Sequence, residues 1–298
     1  MAKSLSSEHV IVFWGSKRMP RDAAEKAFDA VGMASLLPPV DHYAALQKSA
    51  ADIVTAYGVG GGERVKPFGL SGRADAVGVE LRRFVRGKTR NDLPFLFSMG
   101  VCKQGDGSFA VEILDVDATA CPEIHKNRAA IQRQADRYWR EACTFLSAND
   151  LTNAITGLVK AQHGFLLRDE GVVWYLPEDK LDSYTTVADA LGRHGVVMQT
   201  VRFNPTVNAA LVKHVSDELT RRSMAVFNGQ IEEADDMSHR GAKARSNGQQ
   251  TRLEQWVSTY ETLEHNKALL GKGFAHIAKA AAYAKEKIGS VALSAFAG

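Results

Sequence analysis

"AVGVELRRFVRGKTRNDLPFLFSMGVCKQGDGSFAVEILDVD", residues 76–117, holds three runs in which apolar side chains recur at every second position. Val77, Val79 and Leu81 form the first, Leu93, Phe95, Phe97, Met99 and Val101 the second, and Phe109, Val111 and Ile113 the third. A period of two puts alternate side chains on opposite faces of a strand, so each run predicts a strand buried on one side. The turn "KQGDGS" and the short links between runs are too brief for parallel crossovers. They predict an antiparallel meander, and with the helical patterns around it an α+β fold.

Toward the N-terminus, Val10 to Trp14 reads as a short buried strand, and Pro20 suits the start of a helix through "RDAAEKAFDAVGM". Asp41 is placed to cap a second helix, "HYAALQKSAADIVTAYG", which the breaker "GVGGG" at 58–62 ends. After the meander the period changes to 3.6 over 123–146. Ile124, Ile131, Ala135, Tyr138, Ala142 and Phe145 form an apolar stripe, and Lys126, Arg133, Arg137 and Arg140 line the opposite side. Residues 1–147 are thus expected to form a first domain.

A second, smaller unit is expected over 148–205: a helix from Asp150, a hairpin in "GFLLRDEGVVWYLP", a helix at 178–192 and a strand at 196–203. Helix 123–146, the turn "SAND", helix 150–162 and that hairpin follow the order of a winged helix-turn-helix. Thr152, Asn153, Thr156 and Lys160 share a polar face suited to base edges, but Asp169 and Glu170 at the wing tip would repel phosphates. Residues 206–298 read as a helical tail. One helix carries Val207, Leu211, Val215, Leu219 and Val226, and another Leu253, Trp256, Val257, Tyr260, Leu263 and Leu270. The polar segment 234–248 between them is expected to be a mobile loop. Trp256, Tyr260 and Leu263 are candidates for a self-association or partner surface, with an intramolecular helical hairpin as the competing account.

Lysine and arginine number 37 against 34 aspartates and glutamates in 298 residues, a formal charge of +3. That balance does not by itself announce a nucleic-acid binder, so any basic surface must be local. Cys102, Cys121 and Cys143 lie far apart with no C-x-x-C pair, which gives no zinc or redox motif. No apolar run approaches a membrane span, and the chain is expected to be soluble and cytoplasmic, without cofactor or metal.

Gly87-Lys88-Thr89 matches the end of a phosphate-gripping loop, but Arg82 stands where that loop needs its first glycine, and the flanks are strands. "GVGGGER" at 58–64 follows a helix, whereas a dinucleotide fingerprint follows a strand. Ser71 in "GLSGR" lacks the glycine at 73 that a nucleophile elbow requires. The order of helix, three strands and helix over 41–146 resembles the core of restriction-type nucleases. That resemblance implies a metal-binding acid on the third strand and a lysine two residues beyond it. Glu112 takes the first place, Leu114 stands in the second, and Asp115 and Asp117 are the remaining candidates for a divalent ion. Glu232, Asp235, Asp236 and His239 share a helical face but lack the second half of a di-metal site.

Five cations in nine residues remain: Arg82, Arg83, Arg86, Lys88 and Arg90. With the stripe Lys126, Arg133, Arg137 and Arg140 they predict a non-enzymatic, oligomeric protein associated with DNA or RNA. A scaffold or adaptor binding a protein partner through the helical tail is the alternative, and a metal-dependent nuclease a further one.

Overall fold

The computed structural model describes residues 9–70, 77–168, 172–204, 207–238 and 242–296, with side chains outside 235–250 and 290–296. In chain order the elements are β1 (His9–Gly15), β2 (Met19–Pro20), α1 (Arg21–Asp29), α2 (His42–Ala56), β3 (Val65–Gly69), β4 (Gly78–Arg83), β5 (Phe95–Lys103) and β6 (Phe109–Val116). There follow α3 (Pro122–Lys126), α4 (Arg128–Thr144), β7 (Phe145–Leu146), α5 (Ala148–Ala161), β8 (Phe165–Leu166), β9 (Val173–Pro177), α6 (Leu181–Gly192) and β10 (Val197–Phe203). Four helices close the chain: α7 (Ala209–Ser238), α8 (Ala242–His265), α9 (Lys267–Leu270) and α10 (Phe274–Phe296). The fold is α+β with antiparallel sheets, as the period-2 runs predict. Two compact units arise, one of 18–25 and 37–150, the other of residues up to 17, 26–36 and from 151 onward. They depart from contiguous boundaries at 147 and 205 because β1 pairs with β9 and β10 and not with the meander.

In the unit of 18–25 and 37–150 the meander has four strands, in the order β3-β4-β5-β6. Val79, Leu81, Phe97, Met99, Val111 and Ile113 are buried on one side against Leu46 and Ile53 of α2 and Ile131, Ala135 and Trp139 of α4. Burying an aliphatic or aromatic side chain of this size contributes about 1.5–3 kcal/mol, which makes this layer the unit's main source of stability. Ser49 Oγ in α2 donates to the Ala135 carbonyl of α4 at 2.7 Å and ties the two helices together. Asp41 caps α2 as expected, its carboxylate accepting from the Ala44 amide at 2.9 Å. The helix expected over 123–146 is two helices, because Asn127 leaves helical geometry between them (φ −108°, ψ 22°). Its side chain donates to the Glu123 carboxylate at 3.2 Å.

The other unit holds the sheet β10-β1-β9-β8, with β1 antiparallel to both neighbours. Tyr184 of α6 lies under this sheet and donates to the carbonyls of Phe13 and Gln199 at 3.2 and 3.4 Å. The helical tail packs as a bundle in which α7, α8 and α10 all touch one another. Its core includes Val215, Leu219, Phe227, Trp256, Leu263, Ile277, Ala281 and Ile288. The loop expected over 234–248 is helical on both sides of 239–241, which lie outside the described residues. Composition explains the difference: Glu, Ala, Lys, Arg and Gln are strong helix formers, and lack of large apolar residues does not unwind a helix. The hairpin expected as a wing is instead a sheet edge, since β9 also pairs with β1; Asp169 and Glu170 lie outside the described residues.

Two histidines of this unit titrate against the fold. Burial lowers the pKa of His9, which shares a 2.9 Å hydrogen bond with the Tyr175 hydroxyl, and the charge of Glu178 only partly opposes this. His163 is lowered by burial and by the positive charges of His265, whose ring stacks on it at 4.7 Å, and of Lys180; Glu261 and Asp179 pull the other way. Both groups bind protons less readily folded than unfolded, so their contribution is complete above the unfolded histidine value, near 6.5. It is lost as pH falls below that value toward the folded pKa. Urea melts between pH 7.5 and 5 should show declining stability for the wild type and a shallower decline for His163→Gln; parallel curves would refute this assignment.

Candidate nucleic-acid interface

The two long helices of the 37–150 unit, α2 and α4, pack on one side of the meander, and the residues of chemical interest gather on the other. The chain reaches that side through the glycine turn after α2. Gly60, Gly61 and Gly62 all have positive φ, and a side chain on Gly60 would meet Val65 Cγ2 at 2.9 Å. β3 then forms the sheet edge, where Pro67 is tolerated because no further strand needs its amide. Pairing with β4 sets Lys66 opposite Arg82 and Phe68 opposite Glu80. A bulge between β4 and β5 pairs Arg82 with Phe95 while Leu96 and Phe97 both enter the helix-facing core. Phe95 therefore belongs with Arg82, against the single alternation expected for β5. Just beyond β4, the Phe84 amide donates to the Arg64 carbonyl at 2.7 Å, extending the same face by one more pair.

Cations and phenylalanines interleave across this face. Lys66 Nζ lies 4.0 Å from the centroid of Phe84, with the Arg64 guanidinium at 5.6 Å from the same ring. Arg90 sits 5.4 Å from Phe68 and Arg82 5.8 Å from Phe95. The cations differ in how far their charge is already spent. Glu80, with a side chain only 10% exposed, receives Arg82 Nε at 3.0 Å and Arg90 Nε at 2.7 Å. Burial pushes its carboxyl up, but the hydrogen bonds and charges of the two arginines outweigh this and hold it below the usual carboxylate range. Arg82 also donates to the Leu93 carbonyl and Arg90 to that of Gly69, both at 2.7 Å. Arg83 forms a 2.9 Å ion pair with Glu63. Arg86 and Lys88 are exposed on the loop 84–94. Among the described residues, Arg64, Lys66, Arg86 and Lys88 meet no carboxylate.

The two basic clusters expected from the sequence do not form one surface. The apolar side of α4 rests on the helix-facing side of the sheet, so Arg133 and Arg137 lie on the outside of the helix layer, across the sheet from Lys66 and Phe84, while Arg140 turns back to the edge strand β6. Arg140 is further committed to Asp136 and to the Phe109 carbonyl, each at 2.7 Å. Lys126 lies in α3, before the break at Asn127. Arg64, Lys66, Phe68, Phe84 and Phe95 were not singled out by sequence alone. Cation and aromatic at alternate places in "RVKPF", beside the arginines of β4, was the available signal, hidden by proline and the preceding glycines.

The other candidates are occupied elsewhere. Trp256 donates from Nε1 to the Ala281 carbonyl at 2.8 Å and stacks on Tyr260, and Leu263 is fully buried in the same bundle core. Thr152 donates to Ser16 Oγ at 2.9 Å, and Lys160 lies over Trp174, so part of the polar face of α5 serves internal contacts. Asp117 accepts from the amides of Thr119 and Ala120, and Asp115 from that of Val116. Among the described residues no three histidines, cysteines, aspartates or glutamates are gathered to hold a metal. Burial pushes the thiols of Cys121 and Cys143 up, which disfavours the thiolate a nucleophile needs. No helix among the described residues is long and apolar enough to cross a membrane. Comparison of the chain with protein-family models, curated proteins and solved structures finds no match.

Proposed function

We propose that this chain is a nucleic-acid-binding protein that holds the phosphate backbone on the helix-free side of the meander, around β3, β4 and the loop 84–94. One observation carries the reading: Arg64, Lys66, Arg86 and Lys88 keep their charge unneutralised by described carboxylates, and two of them flank the same ring, Phe84. Among the described acids here, Glu80 is shared by Arg82 and Arg90, Glu63 is paired with Arg83 and Asp92 accepts from the Thr89 hydroxyl, and the cations of the patch outnumber them. Balanced overall charge does not oppose this, because phosphate contacts depend on where cations stand.

The test is fluorescence anisotropy of labelled DNA and RNA oligonucleotides titrated with the full chain over a series of salt concentrations. Four phosphate contacts on a single strand give a log–log slope with salt of about −3. Absence of binding at low salt, or binding indifferent to salt, would rule the function out.

A further inference from the structure

We infer that the strand held on this face is single, with bases stacked on Phe84 and on Phe68, two rows apart on the same face; this deepens the nucleic-acid reading and rests on it. A protein that recognises only phosphates needs cations and polar donors, and phenylalanine supplies neither. Yet Phe68, Phe84 and Phe95 stand half-buried among the cations of this face, each ring with at least one cation within 4.0–5.8 Å of its centroid. A single strand offers what such a surface can use: unpaired bases with open π-faces, and phosphates spaced along them. In a duplex the base faces are stacked on one another, leaving only edges and backbone to a protein. The fold supports the same choice. This face is a sheet surface with phenylalanines in its rows, and among the described residues of this unit no long helix packs on it.

Phe84 is the place where the two chemistries meet. Lys66 and Arg64 come from the edge strand and the turn before it, while Arg86 and Lys88 follow Phe84 by two and four residues on the loop. A base against this ring would have its flanking phosphates within the reach of cations on both sides. Phe68, two rows along the sheet with Lys66 and Arg82 between, is positioned for a base further along the strand, with Arg90 beside it. Sequence preference is not built in, because every base has a π-face.

The experiment compares labelled oligo-dT, oligo-U and a DNA duplex of equal length with the full chain at low salt, for the wild type, Phe84→Leu and Phe84→Tyr. Leucine keeps an apolar side chain of similar bulk and removes the π-face, so unchanged thermal melting shows that the variant folds. The wild type is expected to bind the single strands at least about tenfold more tightly than the duplex. Phe84→Leu should cut single-strand affinity roughly tenfold, leave duplex affinity and the salt slope unchanged, and be rescued by Phe84→Tyr. Equal wild-type affinity for both forms, or an equal loss of both in Phe84→Leu, overturns the single-strand inference while sparing the backbone reading. Binding of none of the three probes overturns both.

Discussion

Replacing Lys66, Arg86 and Lys88 together by glutamine is expected to lower affinity for a single-stranded oligonucleotide by about a hundredfold at low salt and to flatten the salt slope from about −3 to about −1. The reasoning is one of counterions. Each cation that meets a phosphate releases ions condensed on the strand, and the gain shrinks as bulk salt rises; removing three of four contacts removes most of it. Stability should change little. Arg86 and Lys88 are exposed and meet no described carboxylate, and Lys66 contributes chiefly its contact with Phe84. Arg133→Gln with Arg137→Gln is the control, since these residues lie on the outer side of the helix layer. If the α4 pair lowers affinity as much as the triple variant does, the interface has been put on the wrong side of the sheet.

The second large effect concerns the tail. Trp256→Ala should cost about 3–5 kcal/mol of stability, the usual range for truncating a large buried aromatic. The indole is 8% exposed, stacks on Tyr260 with centroids 5.0 Å apart, and donates its only polar hydrogen to Ala281. Truncation opens a cavity and removes the indole's bond to the Ala281 carbonyl. Urea unfolding followed by tryptophan fluorescence and helical circular dichroism would report the loss, fitted with more than one transition because the chain has two units. Light scattering on the same samples addresses the rival use of this residue. A tryptophan reserved for a second subunit would abolish an oligomer at little cost to the protomer, and that outcome would remove Trp256 from the bundle core.

Where a single element governs its own pattern, the sequence was legible. Val79, Leu81, Met99, Val111 and Ile113 alternate because one face of their strands is buried, and Ile131 and Ala135 follow the turn of α4 onto that face. Asp41 is readable as a cap because its bond closes within three residues. What depends on a partner strand was not legible. Val65 to Gly69 is a strand only because β4 pairs with it; a lysine and a proline disguise it as loop. Phe95 changes sides through a bulge whose existence belongs to the pairing of β4 with β5. The arginine cluster was visible, but the sequence count could not show that Glu80 claims Arg82 and Arg90 while Arg86 and Lys88 meet no described carboxylate. Electrostatics of a site depends on such subtraction, and subtraction needs distances.

The position of β1 has a consequence for synthesis. This strand ends at Gly15, yet its two neighbours, β9 and β10, are completed only at Pro177 and Phe203. At about 5–20 residues per second, roughly 10–40 s of translation separate the appearance of β1 from that of its last partner. Until β9 is made, Val10, Val12 and Trp14 have neither ladder nor core, whereas the meander's strands and helices are complete by Thr144, before either partner of β1 appears. The nascent chain thus carries an unpaired apolar strand until β9 is made, an exposure of the kind that favours misassociation before folding is complete.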